Sequence, residues 1–221
     1  MDHEYYRNEA LKKDLNLYVK ANYDLSNKLN VYLDLQARFV DYTFEGFNSN
    51  GEVSDQAVNL KFFNPKYGLF YSLPDNSSFF VSFSEGKREP NRNDYVESTP
   101  NSRPEHEALY DTEIGYKQNG DKLILGVNLY QMIYKNQLAL TGEINDVGAC
   151  TRTNVPKSYR AGIELQFKYA LNKKYNTSYN ITLSQNKIKE FTEYVDDYDQ
   201  FTQVAIQHKN TNIALSPSLT T

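Results

Sequence analysis

LKKDLNLYVKANYDLSNKLNVYLDLQARF, residues Leu11–Phe39, holds two runs in which apolar and polar side chains alternate about the short turn Asp24-Leu25-Ser26-Asn27. In the first run Leu11, Leu15, Leu17, Val19, Ala21 and Tyr23 interleave with Lys12, Asp14, Asn16, Lys20 and Asn22. In the second, Leu29, Val31, Leu33, Leu35, Ala37 and Phe39 interleave with Asn30, Tyr32, Asp34, Gln36 and Arg38. A period of two is the signature of a β-strand with one apolar face. The opposite face carries mid-strand charge, which a water-filled or plugged lumen tolerates and lipid does not.

The same unit recurs along the chain. Lys66–Leu73 and Ser78–Gly86 flank the turn Pro74–Ser77, and Leu109–Lys117 and Leu123–Tyr130 flank Asn119-Gly120. For Asn119-Gly120 a two-residue turn with positive φ at both central positions is expected. Ala161–Tyr169 and Tyr179–Leu183 flank the turn Leu171–Lys174, with Glu164 and Lys168 on the polar face. Between these hairpins lie polar stretches read as long loops: Phe44–Pro65, Lys87–Glu105, Asn136–Lys157 and Lys187–Asn210, each of 19 to 24 residues, before a ninth strand beginning at Asn212–Ser216. Short turns on one rim and long loops on the other belong to an up-and-down barrel set in a membrane, a sorting that soluble all-β domains have no reason to keep. The expected fold is therefore all-β: an antiparallel up-and-down transmembrane β-barrel, partial, with about eight to nine strands visible.

Composition agrees. The 221 residues include 19 Tyr and 12 Phe but no Trp, and only 39% are hydrophobic, so aliphatic side chains are too few to fill a large aqueous core. A barrel wall needs apolar side chains on one face only, with aromatic girdles at the interfaces. The mean hydropathy of −0.70 is no argument against strands, because only a spanning helix needs a run of about 18 apolar residues. A net charge of −4, with both signs well mixed, excludes a basic stripe for nucleic acid. The lone Cys150 has no internal disulfide partner and reads as a loop residue. The opening MDHEYYRNEALKKDL carries no apolar signal core, and the chain is expected to be part of something longer.

Three stretches carry a resemblance. FFNPKYGLFYSL (Phe62–Leu73) is similar to an Asn-Pro-Lys then Gly-Leu-aromatic habit, here on Asn64, Pro65 and Gly68. RPEHEALYDTEIGYKQNGDKLILGVNLYQMIYKNQL (Arg103–Leu138) has a Pro-Glu opening at Pro104 and Glu105, then Asp111, Glu113, Ile114, Gly115 and Tyr116. SYRAGIELQFKYAL (Ser158–Leu171) has a Gly-hydrophobic-Glu core at Gly162 and Glu164. In content, order and spacing they resemble the C-terminal barrel of TonB-dependent outer-membrane receptors. The resemblance implies a piece of a 22-stranded, plugged barrel in the outer membrane of a Gram-negative bacterium, with residues 1–221 forming part of the barrel domain and no plug among them. It also implies an active transporter for a scarce nutrient such as a siderophore–iron complex or cobalamin, energised by TonB through the plug. Implied partners are outer-membrane lipid, the plug and remaining strands, and a small-molecule or metal-chelate ligand. In isolation such a piece is expected to fold poorly, since open edges go unsatisfied in lipid.

Other motifs weigh little. His106-Glu107 begins a zinc-protease pattern but lacks the second histidine, and His3, His106 and His208 are far apart, so no metal site and no cofactor are expected. Asp196, Asp197 and Asp199 read as a solvated acidic loop. Three Asn-x-Ser/Thr patterns, at Asn76, Asn176 and Asn180, read as turn and lumen chemistry. Arg88, Arg92, Tyr95 and Arg103 in the second loop are the candidates for meeting an anionic ligand, because guanidinium forks suit carboxylates, and for each one alone a contact to lipid headgroups or to a neighbouring loop is the favoured alternative. No nucleophile, phosphate cradle or carboxylate pair gives an enzyme reading a starting residue. Two rivals stand beside this reading: a soluble barrel enclosing a small ligand with its apolar face inward, and a small stand-alone outer-membrane barrel.

Overall fold

The computed structural model describes residues 7–47, 55–96, 98, 103–144, 150–172 and 174–221. His3 and the predicted loop segments 48–54, 99–102 and 145–149 lie outside them. The described residues form one antiparallel sheet: β1 (Arg7–Asp24), β2 (Leu29–Phe47), β3 (Gln56–Leu73), β4 (Ser77–Arg88), β5 (Glu107–Asn119), β6 (Leu123–Ile144), β7 (Cys150–Ala170), β8 (Asn176–Asp197), β9 (Thr202–Asn212) and β10 (Leu219–Thr220), with a short helix α1 (Arg92–Val96) between β4 and β5. Each strand from β1 to β8 pairs with its neighbour in sequence, and β9 and β10 share the free edge of β8. The sheet is an up-and-down barrel wall, open between β1 and that edge.

Register turns the period of two into a membrane face. One row crosses the wall from Tyr23 to Val31, Leu69, Val81, Ile114, Leu129, Ile163 and Leu183, ending on Leu219 of β10. Its members are apolar, and all but the half-buried Val31 and Ile163 are exposed, Ile114 by 52%, Leu129 by 50% and Leu183 by 48%. Towards the short-turn rim Tyr71, Phe79 and Tyr116 lie side by side, with the Phe79 and Tyr116 rings 4.9 Å apart. The buried side chains of Val40, Phe44 and Phe62 sit instead on the face that carries Arg38. Apolar outside and charged inside is the reverse of the soluble barrel considered above.

The face with Arg38 is the concave one. On a flat sheet β2 and β7 would stand five strand spacings, about 24 Å, apart. Yet consecutive residues of α1 reach both: Tyr95 packs on Phe44 of β2 with ring centroids 5.5 Å apart, and Asp94 lies 3.8 Å from Arg152 of β7. Only a curled wall permits that.

Three predicted boundaries are corrected. The stretches Phe44–Pro65, Asn136–Lys157 and Lys187–Asn210 are mostly strand, because β2, β3, β6, β7, β8 and β9 run on past the apolar band, and β6 and β8 reach 22 residues each. A strand of about 9–11 residues crosses the hydrocarbon. Beyond it both faces meet water, so the ladder continues while the alternation that betrays it disappears. For the same reason Cys150 opens β7 rather than lying in a loop. The ninth strand starts at Thr202, inside a predicted loop, and breaks before resuming at Leu219. The loop after Asn119 has three residues, closed by the Gly120 N–H donating to the Leu123 carbonyl at 2.8 Å, and neither Asn119 nor Gly120 has positive φ. Positive φ falls instead on Asp75 and Asn76, between β3 and β4. Of the second predicted loop, Lys87 and Arg88 belong to β4 and Arg92–Val96 forms α1, while among its described residues 89–91, 98 and 103–105 are loop.

The outward row gives a test. Ile114→Arg, in the whole polypeptide that carries this chain, is expected to cost about 2–4 kcal/mol of folding stability in lipid vesicles. Ser82→Arg, on the concave face of the adjacent strand, is expected to cost far less. Equal losses in a urea titration would show that the apolar row does not face lipid.

Candidate functional site

The site is the concave face at the long-loop end, built where the sequence turns from strand to loop after β4. The Asn64-Pro65-Lys66 motif makes that turn. Proline has no N–H to donate, and the β3–β4 ladder stops at Lys66–Ser84, one residue short of Pro65. Past that point β4 stays paired only with β5, through Arg88 opposite Glu107. Asn64 catches the departing strand: its Oδ1 accepts the Lys87 N–H at 3.0 Å, and its Nδ2 donates to Gln36 at 2.9 Å.

The released chain folds inward. Glu89 meets Arg38 of β2, whose Nη1 and Nη2 donate to its two carboxylate oxygens at 2.7 and 2.8 Å. On its other side Arg38 donates from Nε to Asp14 of β1 at 3.1 Å, and Lys12 adds a bond to Glu89 at 2.6 Å. Two cations and two anions close a neutral quartet, with the two-pronged guanidinium geometry that lysine cannot supply. Burial alone would push the Glu89 carboxyl up, but the bonds from Arg38 and Lys12 outweigh it and hold it at about 2.

After the buried Pro90, α1 is set by its own cap, the Asn91 N–H donating to Asp94 Oδ2 at 2.7 Å. Tyr95 is then only 2% exposed, packed on Phe44 and edge-on to Tyr42, with its carbonyl accepting from Gln56 at 2.9 Å. Burial pushes its phenol up to about 12, so it stays neutral. The return leg is tied to the other side: the Glu105 N–H donates to Asn154 at 2.7 Å, and the Glu105 carboxylate accepts from Asn136 at 2.7 Å.

The four candidate ligand residues are thereby spread apart. Arg88 pairs with Glu107 at 3.0 Å, Arg92 donates to the Asn8 carbonyl at 2.8 Å, Tyr95 is buried, and Arg103 is exposed beside the buried Pro104. Sequence reasoning placed Arg38 on the inner face but missed its partners Asp14 and Glu89 and the Asp94–Arg152 contact. No local pattern announces them.

The motif glycines have a separate job. Gly68, Gly115 and Gly162 face Tyr32, Phe80 and Tyr130 directly across the ladder. A Cβ on Gly115 would lie 2.1 Å from the Phe80 ring, and one on Gly162 would lie 2.7 Å from the Tyr130 hydroxyl. Each ring thus lies flat on the wall, over the space its glycine leaves. Between two of these pairs Asn128 reaches Glu113 at 3.5 Å and Glu164 at 3.4 Å, while Tyr116 faces outward.

Gly115→Ala is expected to destabilise the barrel by about 1–3 kcal/mol through overpacking, and Phe80→Ala in the same molecule to recover part of that loss. Additive losses in denaturant titrations would exclude the ring as the cause. A second expectation concerns pH. Folding lowers the Glu89 pKa, so the attachment it makes is complete above its ordinary value of 4.5 and is lost as pH falls toward about 2. Pepsin should therefore cut Glu89→Gln in segment 89–96 faster than wild type near pH 4.5, and the ratio should fall to one near pH 2. A ratio independent of pH would refute the assignment.

The fold has counterparts in known proteins. The chain is similar in fold to the ferric-catecholate import receptor Fiu from K12 E. coli (TM-score 0.65, 15% identity, 86% of this chain and 30% of that one). It is likewise similar to the copper transporter OprC (TM-score 0.68, 13% identity, 80% of this chain and 30% of that one). A third is the alcaligin outer membrane receptor FauA from Bordetella pertussis (TM-score 0.59, 17% identity, 81% of this chain and 31% of that one). This chain therefore spans about a third of the length of each. No curated protein sequence matches it. The family model for the TonB dependent receptor-like β-barrel, however, matches residues 3–219, and with an outward apolar row, a charged concave face and one open up-and-down sheet, the chain belongs to the TonB-dependent receptor β-barrel family.

Proposed function

We propose that residues 1–221 are part of the barrel wall of a TonB-energised importer in the outer membrane of a Gram-negative bacterium. In this reading the plug and the remaining strands are supplied by chain outside these residues, and the whole protein takes up a scarce nutrient such as a siderophore–iron complex or a cobalamin. Family membership over residues 3–219 is the observation that carries it. The barrel's own work is mechanical: it seals the bilayer with its apolar face and holds the plug and the binding surface on its concave one.

No catalysis is assigned to this wall. Among the described residues the inner face offers hydrogen bonds and paired charges. Ligand contact falls to the end of β4 and the segment after it, where Arg88, Arg92, Tyr95 and Arg103 lie. Arg103, exposed at the mouth, is the residue of the four best placed to meet an anionic chelate, and Arg88 keeps most of its side chain in solvent beside Glu107.

Two measurements on the source cell test the proposal together. An antibody raised against residues 87–105 should mark an outer-membrane band several-fold heavier than 25.6 kDa. Cells lacking the gene should lose uptake of an iron-55-labelled siderophore or of labelled cobalamin, and a protonophore should abolish the same uptake in wild-type cells. A 25.6 kDa band in the soluble fraction would overturn the reading.

A further inference from the structure

We propose that Glu89–Val96 is a fixed strap across the outer mouth of the lumen, locked by Arg38, and that it narrows the entry permanently instead of opening as a lid. The inference rests on the reading above only in taking the concave face as the lumen.

Three observations carry it. Most of the deepest burial in the described residues is in the strap and on β2: Pro90 and Tyr95 are buried, Tyr95 packs on Phe44, and Val40 and Phe44 are each 1% exposed. A segment that swings away would leave Phe44 and the Tyr95 phenol packed on it open to water. Second, the strap is held from both sides of the curl, by Arg38 and Lys12 at one end and by Asp94 against Arg152 at the other. Third, the lock is self-neutral and partly dry. Arg38 and Glu89 are 20% and 11% exposed as side chains, so salt screens them weakly, and both of Arg38's anions must be given up before it is free.

Below the strap the wall bounds a hollow of about 600 Å³ lined by Lys20, Asp34, Gln36, Asn64 and Lys66. On β2, Arg38 lies two residues beyond Gln36 toward the long-loop end, so Glu89 is held on the outer side of that hollow. The strap therefore acts as a size limit on what reaches that hollow, set by geometry and not by ligand.

The test is limited trypsin digestion of the whole polypeptide carrying this chain, purified in detergent, with cutting after Arg92 read by mass spectrometry. Trypsin must draw Arg92 out of its bond to the Asn8 carbonyl, so cutting reports release of the strap. Wild type is expected to resist. Arg38→Ala, and the nearly isosteric Glu89→Gln, are expected to be cut about ten-fold faster or more, with the β-sheet circular dichroism unchanged. Arg38→Lys keeps the charge, loses the fork and should fall between. Wild-type cutting as fast as that of Arg38→Ala, or no acceleration in either variant, overturns the strap. Neither result depends on what the protein transports, so a failed uptake assay and a failed strap are told apart.

Discussion

Within hydrocarbon a backbone N–H or C=O has no water to turn to, and the wall answers that constraint before any other. Every strand from β1 to β8 is hydrogen-bonded to its sequence neighbour, and the ladder between β5 and β6 alone pairs residue for residue from Ala108–Lys135 to Asn119–Ile124. Once pairing is obligatory, the side chains have only two faces to occupy. A one-residue slip in any ladder would exchange Ile114 for Glu113, or Ile163 for Glu164, against lipid. The apolar row from Tyr23 to Leu219 is thus a consequence of the backbone's need for partners as much as of side-chain hydrophobicity. The same constraint bears on the free edges: β1 and the open part of the β8 edge carry donors and acceptors that lipid cannot satisfy, so each requires a neighbouring strand.

Outside the bilayer that constraint lapses and side-chain chemistry takes over. Strands run on as ladders with no apolar face, and a segment released by Pro65 folds back onto the concave surface. What holds it is a mixture the membrane region does not use, a buried aromatic contact at Tyr95 together with the charge quartet on Arg38. Surface ion pairs contribute little on their own. Here the geometry is two-sided and partly buried, and it acts with burial of Pro90 and Tyr95 rather than in place of it.

Legibility in the sequence follows the same divide. Leu29–Phe39 was readable because lipid on one side and lumen on the other force an alternation; Phe44–Pro65 was not, because water on both sides leaves none, although β2 and β3 continue through it. Gly68, Gly115 and Gly162 stood out by resemblance, but the reason for them, a ring on the facing strand, exists only once the register is known. Glu89 was invisible for a different reason. Its partners are 51 and 77 residues away, and an acidic residue in a polar loop looks the same whether it is solvated or clamped. Arg38 was assigned correctly to the inner face, since face is a local property; what it binds is not.

These two devices, rings over glycines and a clamped segment, have opposite effects on the path through the barrel. Tyr32, Phe80 and Tyr130 would project into the lumen if their glycines carried side chains; lying flat, they keep the wall smooth and the bore wide along the membrane. The narrowing is concentrated at the mouth, where Glu89–Val96 crosses from the β1–β2 side to β7. In the importer proposed above, a smooth wall and a strapped mouth would separate two tasks, passage and admission, the first set by strand register and the second by one arginine. Because that arginine is already neutralised by two carboxylates, it contributes no attraction for an anionic solute. On the reading proposed above, any such attraction comes from cations left facing solvent, and Arg103 at the return of the strap is one of them.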